Sequence, residues 1–156
     1  MMLEIDDPNE IERVFRWATV IFACALSLHA ADHLRRGMDV VPRAVMIGGT
    51  VQLMLAAITV VLVFAGSRAA PYFAVGVGSL SAIGFTVAHL LPTWGFFSDS
   101  FINAPPAARV TWFSWVTAVV EILADVMFAI VGAVVLRSRR GTAESGPRQE
   151  SSRLIS

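Results

Sequence analysis

Apolar residues are concentrated in four long stretches, which short polar segments separate. An α-helix needs about 20 apolar residues to cross a hydrocarbon core about 30 Å thick, and each stretch meets that length. Because the first two connections are short, consecutive helices should be antiparallel neighbours. The pattern predicts an all-α integral membrane protein, an antiparallel four-transmembrane-helix bundle over residues 15–136, with helices near 15–36, 44–65, 71–91 and 111–136.

The two ends of the chain are polar. Residues 1–14 are acidic rather than basic at the start, unlike a secretory signal, and are expected to remain as a cytoplasmic N-terminal segment. Residues 137–156 are rich in arginine and serine and hold few apolar side chains with which to build a core. They predict a disordered cytoplasmic C-terminal tail.

Composition supports the membrane interpretation, because 56% of the residues are hydrophobic and only 15% are charged. A soluble domain carries about 25% charged residues. Arginines near the helix ends decide the predicted orientation, in which both termini lie on the cytoplasmic side of a bacterial cytoplasmic membrane. Membrane lipids are the expected partners, and no nucleic-acid partner is expected. The side with more arginines holds Arg13, Arg16, Arg68, Arg137, Arg139 and Arg140; the other holds Arg35, Arg36, Arg43 and Arg109.

Several ionisable residues interrupt the apolar stretches. Each charged group at the centre of a transmembrane helix costs about 2.5–3.5 kcal/mol, so such residues usually face the protein interior and serve a function. Imidazoles and carboxylates that meet in one place can compensate this cost by holding a metal ion. The candidate metal ligands are His29, Asp32, His33, His89, Glu121 and Asp125.

Helical spacing brings these candidates toward one another. His29, Asp32 and His33 share one face of the first helix, since residues three and four apart are neighbours. Glu121 and Asp125 likewise share a face of the fourth helix. At about 1.5 Å of rise per residue, the candidates on all three helices fall mainly in the outer half of the bundle. We therefore expect one His/carboxylate site there.

Imidazole and carboxylate ligands without thiolate suit a divalent metal, with zinc favoured and iron or manganese as alternatives. The first functional hypothesis is a metal-dependent enzyme, a hydrolase or oxidoreductase, acting on a lipid-borne substrate. Glu121 would then be a ligand or general base, and Asp125 a second catalytic carboxylate.

Two other hypotheses belong to different classes. A b-type haem could lie between two histidines, but carboxylates crowded nearby count against the apolar walls that a haem requires. Alternatively, the chain is a non-catalytic subunit of a larger membrane complex or a small transporter of metal or protons. The plainer structural interpretation has Asp32 and His33 at the membrane interface, and the two deeper carboxyls paired with arginine or protonated.

Two further patterns concern packing. Ala74, Gly78 and Ala82 repeat at a spacing that permits close approach of helices, either within the bundle or in a homodimer. The apolar loop 92–110 is expected to anchor in the membrane interface, and the alternative is a lid to which Asp99 adds a ligand or base.

Overall fold

The computed structural model describes residues 8–145, and this part of the chain is helical with no strand. The all-helical prediction is therefore confirmed for the described residues. A π-helical turn, Thr86–Leu90, continues the third helix, and a short 3-10 helix, Pro106–Ala108, precedes the fourth. The main helices are α1 (Pro8–Arg36), α2 (Arg43–Phe64), α3 (Ala70–Phe85) and α4 (Trp112–Ser145).

Each of these helices, α3 together with its π-helical turn, is long and apolar enough to cross a membrane, with mean hydropathy from 1.5 to 2.5. Large apolar side chains are exposed on every one of them, including Ile21, Val61, Leu80 and Leu123. A continuous apolar surface of this kind is unusual on a soluble monomer and normally marks contact with another apolar phase. All four helices lie where the apolar stretches predicted them, and α2 and α3 with its π-helical turn also match the predicted lengths.

The first and last helices are longer than predicted. α1 begins at Pro8 rather than at 15, because proline is accommodated in the first helical turn and Glu10 complements the helix dipole there. α4 continues to Ser145 rather than ending at 136. Extending an existing helix avoids the cost of nucleation, and arginine has a high helix propensity.

The longer helices alter the predicted domain boundaries. Residues 137–145 of the expected disordered tail are helical, and Arg139 Nη2 lies 3.7 Å from Glu12 Oε2 across the adjoining helix ends. The remainder of that tail, residues 146–156, and residues 1–7 of the predicted N-terminal segment lie outside the described residues.

α4 is the central helix of the bundle, packing most closely on α3 and then on α1. Between α1 and α4, the Phe22 and Phe128 rings stack with centroids 4.5 Å apart. Between α3 and α4, a Cβ added to Gly78 would stand 2.6 Å from the backbone oxygen of Asp125. The predicted small-residue stripe thus permits close packing inside this chain.

The long connection between α3 and α4, residues 92–110, lies at one end of the bundle. Here the carboxyl ends of α1 and α3 meet the amino end of α4, and Arg35 Nη2 donates to Ser114 Oγ at 3.1 Å. The segment 92–110 folds against the same place, where Phe101 is buried. We call this region the loop end.

Candidate metal centre

Three histidines converge at the loop end. The Nε2 atoms of His29 and His33, one helical turn apart on α1, are 3.2 Å from each other. Each of His29, His33 and His89 offers a ring nitrogen, and these nitrogens lie within 4.8 Å of one another. A tetrahedral zinc ion with bonds of about 2.0–2.1 Å holds its ligand nitrogens about 3.4 Å apart. The cluster is therefore close to the dimensions of a metal site.

The π-helical turn positions the third histidine. Residues 86–90 widen the end of α3, and the chain then becomes extended at Leu91, with φ −96° and ψ 152°. π-helical turns occur often at functional sites because they redirect side chains within a helix. His89 is consequently buried against α1, with its ring centroid 5.0 Å from that of His29.

A backbone contact orients His89. Its Nδ1 lies 3.0 Å from the carbonyl oxygen of Asp99, so the Nδ1–H donates and the Nε2 lone pair remains for a metal. Metal-binding histidines usually donate their second nitrogen in this way. Phe101 packs on the ring, with centroids 4.6 Å apart, and holds it in place.

Other nitrogens of the cluster have no hydrogen-bond partner. Within the described part of the chain, the unpartnered atoms are Nδ1 of His29, Nδ1 of His33 and Nε2 of His89. His29 and His89 are only 2% and 1% exposed. Buried polar atoms nearly always have partners in folded proteins, and the exceptions concentrate at functional sites.

The loop is clamped over this centre by a buried ion pair. Arg36 is fully buried and binds Asp99 with both Nη atoms, at 2.7 and 2.8 Å. Its Nε donates to the carbonyl of Ala108 at 2.9 Å. Trp94 and Phe96, by contrast, are exposed at the tip of the loop. One segment therefore covers the histidines and also presents an apolar surface.

Asp32 does not join the histidine cluster. It is buried, but its Oδ1 accepts from Arg35 Nε at 2.9 Å and lies 2.8 Å from Arg35 Nη2. The group of candidate ligands within the described residues contains the histidines without this carboxylate. Asp32 is thus paired with Arg35, an arginine partner that the sequence reasoning had considered only for the two deeper carboxyls.

Glu121 and Asp125 also lie outside the candidate ligand group. Both are fully buried, and none of their carboxyl oxygens has a hydrogen-bond partner among the described residues. Counting seven residues from the stacked Phe22–Phe128 pair toward the loop end reaches His29 on α1 and Glu121 on α4, so these two residues lie at about the same depth. The role of Glu121 as a ligand or general base stays a prediction.

The three imidazoles could hold a metal ion through their ring nitrogens. The sequence reasoning named the three histidines but missed the role of the Asp99 carbonyl, since a backbone acceptor leaves no mark in the sequence. It also missed the Arg36–Asp99 clamp, although Asp99 stood out as an acid in an apolar loop.

Comparisons of the chain with known protein families, curated proteins and solved structures found no match.

Proposed function

We propose that this chain is an integral membrane metal-binding protein whose centre is formed by His29, His33 and His89. The observation that carries the proposal is the convergence of three imidazoles whose ring nitrogens lie within 4.8 Å of one another. Zinc is the favoured ion, because imidazole ligands without thiolate suit it and it accepts tetrahedral geometry readily. Iron and manganese are the alternatives for the same ligands.

We further propose that the helices cross a bacterial cytoplasmic membrane as an antiparallel bundle with both termini cytoplasmic. Contacts between α1 and α4 support opposite directions, because Arg35 meets Ser114 at one end and Glu12 meets Arg139 at the other. The loop end, with the histidines, then faces away from the cytoplasm. The larger number of arginines at the opposite end supports this orientation.

The number of protein ligands favours a reactive centre over a structural one. Structural zinc sites use four protein ligands, whereas catalytic sites use three and leave a position for water or substrate. A zinc-bound water is a nucleophile near neutral pH, which makes hydrolysis the favoured chemistry. Because the centre lies within a membrane-spanning bundle, we propose a lipid-borne substrate. The predicted catalytic roles of Glu121 and Asp125 remain a prediction.

Two alternative functions receive less support. A haem would need space for its macrocycle between His89 and either His29 or His33, but the ring centroids of His29 and His89 are only 5.0 Å apart and Phe101 packs directly on His89. On the side of the histidines away from the loop end, the fully buried rings of Phe22 and Phe128 stack between α1 and α4, which disfavours a polar path there. This aromatic packing favours a site reached from the loop end.

Zinc content of the detergent-purified protein tests the proposal. We expect about one tightly held zinc ion per chain, as for a mononuclear site, and its loss from each of H29A, H33A and H89A. The matched control is T19A, which removes a buried α1 hydroxyl that donates to the Phe15 carbonyl and should retain zinc. Wild-type protein without metal, or histidine variants that keep it, would contradict the proposal. A Soret band in the visible spectrum would instead support haem.

A further inference from the structure

Glu121 and Asp125 form a second group of buried polar atoms, apart from the three imidazoles. Counting about 1.5 Å per residue from Trp112, their Cα atoms lie about 14 Å and 20 Å along α4, near the middle of a spanning helix. All four carboxyl oxygens are buried without a hydrogen-bond partner in the described part of the chain. Carboxyls at this depth are expensive, and their retention indicates a function.

The neighbouring helix α3 carries a buried hydroxyl at a similar depth. Ser81 is 5% exposed, and its Oγ has no hydrogen-bond partner within residues 8–145. It lies one turn beyond Gly78, whose Cβ position would touch the Asp125 backbone oxygen at 2.6 Å. The close approach of Gly78 to Asp125 sets the register of α3 against α4, and this register places Ser81 at about the level of the two carboxyls.

Other buried acids of this protein show what a purely structural carboxylate looks like. Asp99 is bound by both Nη atoms of Arg36, and Asp32 by Arg35. Glu121 and Asp125 have no such arginine, although each is at least as deeply buried. They are therefore not explained by the ion-pair network that holds the loop end together.

We propose that Glu121, Asp125 and Ser81 form a second metal site, which takes a hard divalent cation such as Mn²⁺ or Mg²⁺. Carboxylate and hydroxyl oxygens are the donors that such ions prefer, whereas imidazole suits zinc. Two carboxylates also balance the charge of one divalent ion, which removes the cost of leaving either charge alone in the membrane interior. The site adjoins the histidine centre but shares no ligand with it.

Binding of Mn²⁺ to the purified full chain, followed by electron paramagnetic resonance with zinc already bound, tests the inference. We expect about one Mn²⁺ per chain. E121Q and D125N, which keep side-chain shape, should each weaken Mn²⁺ binding by more than about 100-fold, beyond the 10–100-fold typical of residues that only support a ligand. D32N is the matched control, a buried carboxylate paired with Arg35, and should bind Mn²⁺ as the wild type does.

The two metal sites are separated by measuring zinc in the same samples. E121Q and D125N should retain zinc, and H29A should retain Mn²⁺. The inference is overturned if wild-type protein binds no Mn²⁺, if E121Q and D125N bind it normally, or if they lose both ions together. Wild-type protein that binds Mn²⁺ but holds no zinc would overturn only the proposal of a histidine metal centre.

Discussion

Two buried polar groups lie side by side at the loop end, and they differ in how completely they are satisfied. The Arg36 guanidinium uses both Nη atoms on Asp99 and its Nε on the Ala108 carbonyl. The histidine cluster, whose member His33 lies three residues earlier on the same helix, leaves three ring nitrogens without partners among the described residues. Burial alone therefore does not distinguish their roles.

The difference separates architecture from function. A charged pair that is hydrogen-bonded at all three guanidinium nitrogens is stable where it is and holds two segments together. Buried atoms without partners carry a free-energy cost that folding by itself does not recover, so their retention indicates a ligand. The same contrast separates Asp32, which binds Arg35, from Glu121.

The largest expected effect on stability comes from breaking the Arg36–Asp99 ion pair. R36M should lower the free energy of unfolding by about 3–5 kcal/mol, because it leaves the Asp99 charge buried and unpaired. The measurement is thermal or chemical unfolding in detergent. The double variant R36M/D99L removes both charges and should recover much of the loss. A single variant as stable as the wild type would show that the clamp is not structural.

Added zinc should stabilise the folded protein only when the three histidines are intact. Zinc at 1,000 times its dissociation constant should stabilise wild-type protein by about 4 kcal/mol, since it binds the folded state. H89A should show no such shift in melting temperature, because one of the three candidate ligands is gone. Equal stabilisation of both proteins would mean that zinc binds elsewhere.

D32N tests whether Asp32 is a structural carboxylate or a metal ligand. The Asp32 carboxylate is buried, but its partner Arg35 is 38% exposed, so solvent screening should limit the loss of stability to about 1 kcal/mol. Zinc content should not change, because Asp32 lies outside the histidine group. Loss of zinc together with stability would return Asp32 to the ligand set that the sequence predicted.

The smallest effect is expected at the opposite end of the bundle. Glu12 and Arg139 are both substantially exposed, and their closest charged atoms are 3.7 Å apart. E12A also removes the 3.5 Å contact of Glu12 Oε1 with Arg16 Nε, and it should change the free energy of unfolding by less than about 0.5 kcal/mol. Unfolding curves of E12A and wild type should nearly overlay; a large difference would mean that these exposed ion pairs contribute substantially to stability.

The sequence predicted the helices better than their limits. Hydropathy and length found all four, because an uninterrupted apolar run has few other stable forms. It placed the end of α4 at 136, since nothing in the arginine-rich segment after Leu136 distinguishes a continuing helix from a tail. The π-helical turn around His89 was also not predicted, because it depends on how α3 packs against its neighbours.

For the candidate site, helical spacing predicted that His29 and His33 share a face, and the structure places their Nε2 atoms 3.2 Å apart. Helical spacing also grouped Asp32 with these histidines, since it shows on which face of the helix a side chain lies but not which neighbour the side chain binds. Arg35, three residues along the same helix, competes for that carboxylate and binds it.

The sequence by itself determined that the chain is helical, that its helices are long enough for a membrane, and which polar residues interrupt them. Those properties follow from local composition and periodicity. Only the tertiary structure decided which polar residues are satisfied by neighbours and which are not, because partners such as Asp99 for Arg36 lie 63 residues apart. The meeting of His89 with the two histidines of α1, and hence the proposed function, depends on that distant packing.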